Sequence, residues 1–134
     1  MSIIDLNDYS LETVEEAKPV PADQEYKLRI VSVREDINRN GAPYILPRFE
    51  ICDHAEAAQF TDYIPLPSSD MPEVDRINST RRLKRLLLTF GLPLTGRVDL
   101  VDELPGQTGW AILGIRDSGD FGLQNTVKRY IQSK

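Results

Sequence analysis

The chain has 134 residues, of which 40% are hydrophobic and 28% charged, and its formal net charge is −5 at pH 7. This length suits one domain with a single core, and the composition is that of an ordinary globular protein. No apolar run approaches the ~18 residues of a membrane span. The N-terminal residues lack the features of a secretion signal. Cys52 is the only cysteine, which excludes an internal disulfide and fits a reducing compartment. We therefore expect a cytoplasmic protein with no membrane partner.

Acidic residues are concentrated at the N-terminus. Residues 1–25 hold seven acids and one base, a balance of −6, so the other 109 residues carry 15 bases against 14 acids. Pro19 and Pro21 disfavour both helix and sheet. We expect an acidic, loosely ordered arm over residues 1–23 and one domain over residues 24–134. Because the domain is nearly neutral, it attracts phosphates only if its bases lie together on one side. The alternative for the arm is an acidic tail that is merely solvated.

Three β-strands are predicted in the first half of this domain. β-Branched and aromatic residues are frequent in residues 25–37, which is typical of a strand. Asn40-Gly41 supplies the positive φ angles of a tight hairpin turn, and residues 44–52 then form a returning strand. Pro47 indicates a sheet edge or a bulge within it. Residues 59–66 form the third predicted strand.

A helix is predicted next, because apolar residues recur at helical spacing. Its apolar stripe consists of Leu83, Leu86, Leu87 and Phe90. Asn78 or Ser79 is expected to cap its start, and Gly91 followed by Pro93 to end it. Three arginines lie away from the stripe and are expected on a solvated face: Arg81, Arg82 and Arg85.

The last third of the chain adds a short helical turn over residues 99–104 and strands over residues 110–116 and 121–131. The resulting order is three strands, a helix and two strands. This is the order of the OB-fold, a five-stranded Greek-key barrel with one α-helix between strands 3 and 4. Other small α+β arrangements share this order. We predict a mainly β protein with the OB-fold.

No catalytic group is predicted. Residues 52–54, Cys-Asp-His, offer metal-ligand types, but a site needs three or four ligands and the sequence has no second Cys/His set. Asp99, Asp102 and Glu103 suggest a metal-dependent hydrolase as a weak alternative. At the start of a helix, however, carboxylates more simply offset the helix dipole. We expect a non-enzymatic binding protein without catalytic residues, metal or cofactor.

The first hairpin allows a test for a binding face. A two-residue Asn40-Gly41 turn sets Ile37 opposite Tyr44, Val33 opposite Arg48 and Arg29 opposite Cys52. Because side chains alternate, one face then carries Lys27, Arg29, Val31, Val33, Ile37, Tyr44, Leu46 and Arg48. The other face has the residues of a core: Tyr26, Leu28, Ile30, Ile45, Phe49 and Ile51. A loop one residue longer would shift this alternation.

Bases beside an aromatic ring are what single-stranded nucleic acids require, because phosphates need positive charge and nucleobases stack on rings. The predicted nucleic-acid-binding residues are Lys27, Arg29, Arg39, Tyr44, Arg48, Tyr63, Lys128 and Tyr130. The alternative is a solvated face whose bases pair with Glu35 and Glu50. Tyr63 can be exposed or buried, and Lys128 with Tyr130 can line the same groove or end the last strand. Trp110 is predicted to be core.

Four segments, in this order and spacing, carry a resemblance. They are Glu25-Tyr-Lys-Leu-Arg-Ile-Val-Ser-Val, Gly41-Ala-Pro-Tyr-Ile-Leu-Pro-Arg-Phe-Glu-Ile, Arg82-Leu-Lys-Arg-Leu-Leu-Leu-Thr-Phe-Gly-Leu and Asn125-Thr-Val-Lys-Arg-Tyr. Through them the chain resembles a family of small phage-encoded proteins found near recombination and replication genes. That family is related to viral OB-fold single-stranded-DNA-binding proteins.

The resemblance implies a viral protein that coats exposed DNA strands during replication or recombination, with little sequence preference, in the cytoplasm of an infected host cell. Single-stranded DNA is the expected partner, and homo-oligomers or replication and recombination proteins are further candidates. A protein-interaction module or a structural component of a virus is the alternative. It is motivated by the acidic overall charge and by an exposed sheet edge expected around Pro47.

Overall fold

A computed structural model describes residues 2–132 of the chain. Within this range the protein is mainly β, with one antiparallel sheet of six strands and two α-helices. The elements are β1 (Gln24–Ile37), β2 (Pro43–Ile51), β3 (Phe60–Thr61), β4 (Ile64–Pro65), α1 (Glu73–Thr89), α2 (Leu100–Glu103), β5 (Thr108–Asp117) and β6 (Leu123–Ile131). The strand order is β3-β2-β1-β5-β6, and β4 also pairs with β2. In this part of the chain no helix is both long and apolar enough to cross a bilayer.

The predicted mainly β fold class is confirmed. As predicted, α1 lies between the third and fourth predicted strands. The third predicted strand forms as two short pieces, β3 and β4. These pair with the two ends of β2 and leave Pro47 between them. Proline has no N–H to donate, and Asp62 there donates its N–H to the Pro47 carbonyl at 3.2 Å. β2 is paired with β1 on one side and with β3 and β4 on the other, so the exposed edge expected around Pro47 is wrong.

The β1–β2 turn is one residue longer than predicted. The N–H of Asn38 donates to the Ala42 carbonyl at 2.9 Å, and the N–H of Gly41 donates to the Asn38 carbonyl at 3.0 Å. Gly41 has a φ of 80°, as expected for the last residue of a three-residue hairpin loop. The Asn38 side chain stabilises the loop by accepting from the N–H groups of Asn40 and Ala42.

The hairpin register therefore differs from the predicted one. Near the turn Val33 lies opposite Pro47, a slip of one residue. A β-bulge at Val31 adds a second slip, so that Arg29 lies opposite Glu50 instead of Cys52. One slip exchanges the faces of a strand, and two slips restore them. Residues of β1 before the bulge therefore lie on the predicted side of the sheet, and residues after the bulge lie on the opposite side.

The core lies between the sheet and α1. All six predicted core residues of the hairpin are buried: Tyr26, Leu28, Ile30, Ile45, Phe49 and Ile51. Leu86 of α1 and Phe90, which directly follows the helix, are also buried, and the rings of Phe90 and Phe49 stack with their centroids 5.8 Å apart. Burial of each such side chain stabilises the fold by about 1.5–3 kcal/mol. The apolar stripe of the helix is confirmed.

The start of α1 was predicted wrongly and its end correctly. The helix begins at Glu73, after Pro72, and not at Asn78 or Ser79. Acidic residues in its first turn face the positive end of the helix dipole, which stabilises this earlier start without a side-chain cap. At the other end Gly91 has a φ of 76°, and the N–H of Leu92 donates to the Leu87 carbonyl at 2.9 Å.

The end of the acidic segment is tied to the domain. Val20 is buried, its N–H donates to Asn125 Oδ1 at 2.9 Å, and Asn125 Nδ2 donates to the Val20 carbonyl at 3.0 Å. Asn125 is itself buried and also donates to the Gly114 carbonyl. Residues 2–18 are exposed along their whole length. The loose order of residues 1–23 stays a prediction.

Candidate nucleic-acid interface

Five predicted face residues lie together on the side of the sheet that points away from the core. They are Lys27, Arg29, Tyr44, Leu46 and Arg48. With Glu25, Arg34, Asp36, Glu50, Trp110 and Ile112 they form what we call the outer face. Val33 is only 7% exposed and belongs to the core side, which corrects its predicted position. Ile37 lies on the same side of β1 as Val33, because both follow the bulge, so its predicted position is corrected as well. Val31 occupies the bulge and is exposed.

Three bases of the outer face have polar neighbours, among them Arg34, which lies 3.8 Å from the Asp36 carboxylate. The Arg29 guanidinium pairs with the Glu50 carboxylate, and Arg48 Nε donates to Gln59 Oε1 at 2.7 Å. The Arg29 side chain is 52% exposed, and ion pairs this exposed stabilise proteins by only ~0–1 kcal/mol. Arg29 can therefore exchange Glu50 for another anion at little cost. The pairing with Glu50 expected of a solvated face is present, whereas Glu35 lies opposite Ile45, away from these bases.

The outer face of β1 and β2 is slightly basic. It carries four bases, Lys27, Arg29, Arg34 and Arg48, and three acids, Glu25, Asp36 and Glu50, which gives a net charge of +1. The preceding residues 1–24 hold six acids and one base, a balance of −5. The outer face of β1 and β2 is thus more positive than the chain as a whole, as attraction of a polyanion by an acidic protein requires.

Tyr44 and Tyr63 form an aromatic pair beside the β1–β2 turn. Their ring centroids lie 4.6 Å apart at an interplanar angle of 34°, and the Tyr63 hydroxyl accepts from Asn38 Nδ2 at 3.4 Å. Tyr63 is 43% exposed. Arg39 is exposed in the adjoining turn. The structure thus brings Arg39, Tyr44 and Tyr63 to one end of the hairpin.

Trp110 is a candidate that sequence reasoning missed. On β5 the buried residues Ala111 and Leu113 alternate with Trp110 and Ile112, so Trp110 is half-buried on the outer face and not in the core. It lies directly opposite Lys27 on β1 and Ile131 on β6. Every residue of this strand segment is apolar, so the sequence contained no signal for the side on which the ring lies.

Lys128 and Tyr130 are not part of the outer face but line a groove between α1 and β6. Lys128 lies in a bulge of β6, pairs with Asp23 and passes over Gly114. Tyr130 is 7% exposed, packs against Phe90 and donates its hydroxyl to Asp62 Oδ2 at 2.7 Å. Burial raises the pKa of the Tyr130 phenol well above its usual range, and the Asp62 carboxylate adds to the rise. The ring of Tyr130 is thus part of the core and cannot stack on a nucleobase.

The other polar clusters have local structural roles. Asp99 caps α2 by accepting from the N–H of Asp102 at 3.2 Å, and Glu103 accepts from the N–H of Asp99. The hydrogen bond and the charge of Asp99 raise the pKa of Asp102. His54 Nδ1 lies 3.4 Å from a Glu56 carboxylate oxygen. Among residues 2–132, no three His, Cys, Asp or Glu side chains are arranged to hold a metal ion.

Comparison with known proteins gives no family model that matches the sequence and no curated protein that is significantly similar to it.

Proposed function

We propose that the protein binds single-stranded DNA across the outer face with little sequence preference and without catalysing a reaction. The observation that carries the proposal is the presence of Lys27, Arg29 and Arg48 on one sheet surface with Tyr44 and Trp110. Positive charge attracts the phosphates, and each base stacked on a ring contributes about 1–3 kcal/mol. Stacking tolerates any base, which is why sequence preference is weak.

The corresponding fold is the OB-fold, with β3 and β4 counted as one interrupted strand. Two features support it. β1 pairs with β2 on one side and β5 on the other. Asp62, directly after β3, accepts from Arg82 of α1 at 2.8 Å and from Tyr130 of β6 at 2.7 Å, so the two ends of the strand order approach each other beside the helix. This approach is what a five-stranded Greek-key barrel requires.

The biological setting proposed here is the coating of exposed strands during phage replication or recombination. It rests on the resemblance of four sequence segments and on the general binding mode. Recruitment of other replication or recombination proteins is part of the same proposal.

Titration of a fluorescently labelled oligothymidylate, followed by anisotropy at two salt concentrations, tests the function. We expect binding whose log–log salt slope is about −0.7 for each phosphate neutralised. Arg29→Ala with Arg48→Ala should weaken binding about tenfold and leave the unfolding midpoint nearly unchanged, since both side chains are exposed. Arg76→Ala with Lys84→Ala removes the same charge from exposed positions of α1 and is the matched control. No binding by the wild type at low salt refutes the proposal.

A second candidate is a protein-interaction module. It is favoured by the apolar side chains exposed on the N-terminal segment: Ile3, Ile4, Leu6, Tyr9, Leu11 and Val14. Apolar residues gathered on one exposed segment are typical of an interaction site. Absence of oligonucleotide binding, together with stable oligomers on size-exclusion chromatography, would favour this candidate over the first.

A further inference from the structure

A basic groove lies between α1 and β6, beyond the end of the outer face. It encloses about 460 Å³, and a second cavity of about 520 Å³ shares its Arg85, Lys128, Arg129 and Tyr130 lining. The bases that line it are Arg81, Arg82 and Arg85 of α1 with Lys128 and Arg129 of β6. The sequence pattern predicts a solvated face for these helical arginines, separate from any site.

The charge of the groove opposes that of the chain. Five bases and one acid, Asp62, line it, which gives +4 in a protein of net charge −5. Asp62 holds Arg82 at 2.8 Å, and Asp23 pairs with Lys128. Among the ion pairs of the described residues, the remaining bases of the groove have no carboxylate partner. They are Arg81, Arg85 and Arg129.

The positions of these three arginines suit a chain of phosphates. Arg81 and Arg85 are separated by four residues on α1, which places them about 6 Å apart along one side of the helix. Arg129 faces them from β6. The aromatic residue that lines the groove, Tyr130, is buried and donates its hydroxyl to Asp62. The groove can therefore hold phosphates but offers no exposed ring on which a base could stack.

The groove adjoins the outer face. Arg129 lies opposite Ile112 of that face, and Ile131 lies opposite Trp110. Adjacent strands are about 4.8 Å apart, so a nucleic acid strand that crosses from β2 to β6 travels about 14 Å before it reaches Arg129.

We infer that this groove binds the phosphodiester backbone of the same DNA strand after it leaves the outer face. The inference rests on the proposed function. It makes the groove a second part of the DNA-binding site, in which no base stacks on a ring. A short strand occupies the outer face alone, whereas a longer strand also reaches α1. The helical arginines then add affinity only for the longer strand.

The test uses two labelled oligothymidylates, one of about 4 nucleotides, at the lower end of OB-fold site sizes, and one of about 20, beyond their upper end. Arg81→Ala with Arg85→Ala should weaken binding of the long strand about tenfold and reduce the magnitude of its salt slope by about 1.4. Binding of the short strand should change less than about twofold, because its phosphates stay on the outer face. The Arg76→Ala, Lys84→Ala protein is again the control for net charge.

Three results would overturn the inference. If the double variant binds the long strand as well as the control does, the groove is not used. Binding by the wild type would then still support the proposed function. Equal losses of affinity for the short and the long strand would show that the arginines contact even the short strand, and that the groove does not extend the outer-face site. Absence of wild-type binding to either strand refutes the proposed function and the inference with it. If the double variant unfolds, Arg85→Gln with Arg129→Gln keeps side-chain length and decides by the same measurements.

Discussion

The Asp62 carboxylate links β3, α1 and β6, and its removal should lower the stability of the fold. Asp62 is 13% exposed at its side chain and accepts from both Arg82 and Tyr130. Tyr130→Phe deletes a hydrogen bond to a charged group, which should cost about 1.5–3 kcal/mol. Asp62→Ala should cost about 2–4 kcal/mol, because it also leaves a buried hydroxyl without a partner. The half-exposed Arg82 can regain water, which limits the loss.

Urea unfolding of the two single variants and the double variant gives the coupling energy. The double variant should be more stable than the sum of the single losses predicts, by about 1–2 kcal/mol. Tyr9→Phe removes a hydroxyl from an exposed ring and should stay within about 0.5 kcal/mol of the wild type. Losses for Asp62→Ala and Tyr130→Phe that simply add would refute the direct interaction.

Three further predictions concern other contacts. Gly109→Ala should destabilise the fold by about 1–3 kcal/mol in thermal unfolding, because its Cβ would lie 2.6 Å from the Thr89 carbonyl oxygen; unchanged stability would contradict this close approach. Asn125→Ala should release Val20 and extend proteolytic cleavage from the N-terminal segment to residues 18–21, whereas cleavage of the wild type should stop before them. An identical fragment pattern would show that the Val20–Asn125 hydrogen bonds do not hold this segment. Since the folded-state pKa of Tyr130 lies above its unfolded value near 10, the folded protein retains this proton as pH rises. Stability should therefore fall above about pH 10, and Tyr130→Phe should flatten the fall in alkaline denaturation curves.

Sequence periodicity predicted the elements of the fold better than their pairing. The spacing from Leu83 to Phe90 identified the helix, and alternation identified the buried side of the first hairpin. The register was wrong, because turn length depends on hydrogen bonds of Asn38 that no dipeptide rule includes. The bulge at Val31 then restored the face of Arg29 while Val33 turned into the core. A bulge is set by sheet curvature and packing, which a single sequence does not reveal.

Part of the candidate site was also beyond sequence reasoning. Lys27, Arg29 and Arg48 were predicted to share a surface, and they do. The position of Trp110 was not predicted, because an all-apolar strand gives no indication of which side faces the core. Pairing of the basic helix with β6 was not predictable either, since it follows from the contacts of α1 with a strand about 40 residues later in the chain.

Trp110 offers the most direct test of binding at the outer face, because it is the only tryptophan of the chain. Oligothymidylate should quench its fluorescence in a saturable titration, and added salt should reverse the quenching as phosphate contacts weaken. Emission that stays constant while anisotropy reports a bound oligonucleotide would contradict the account, because the strand would then bind elsewhere.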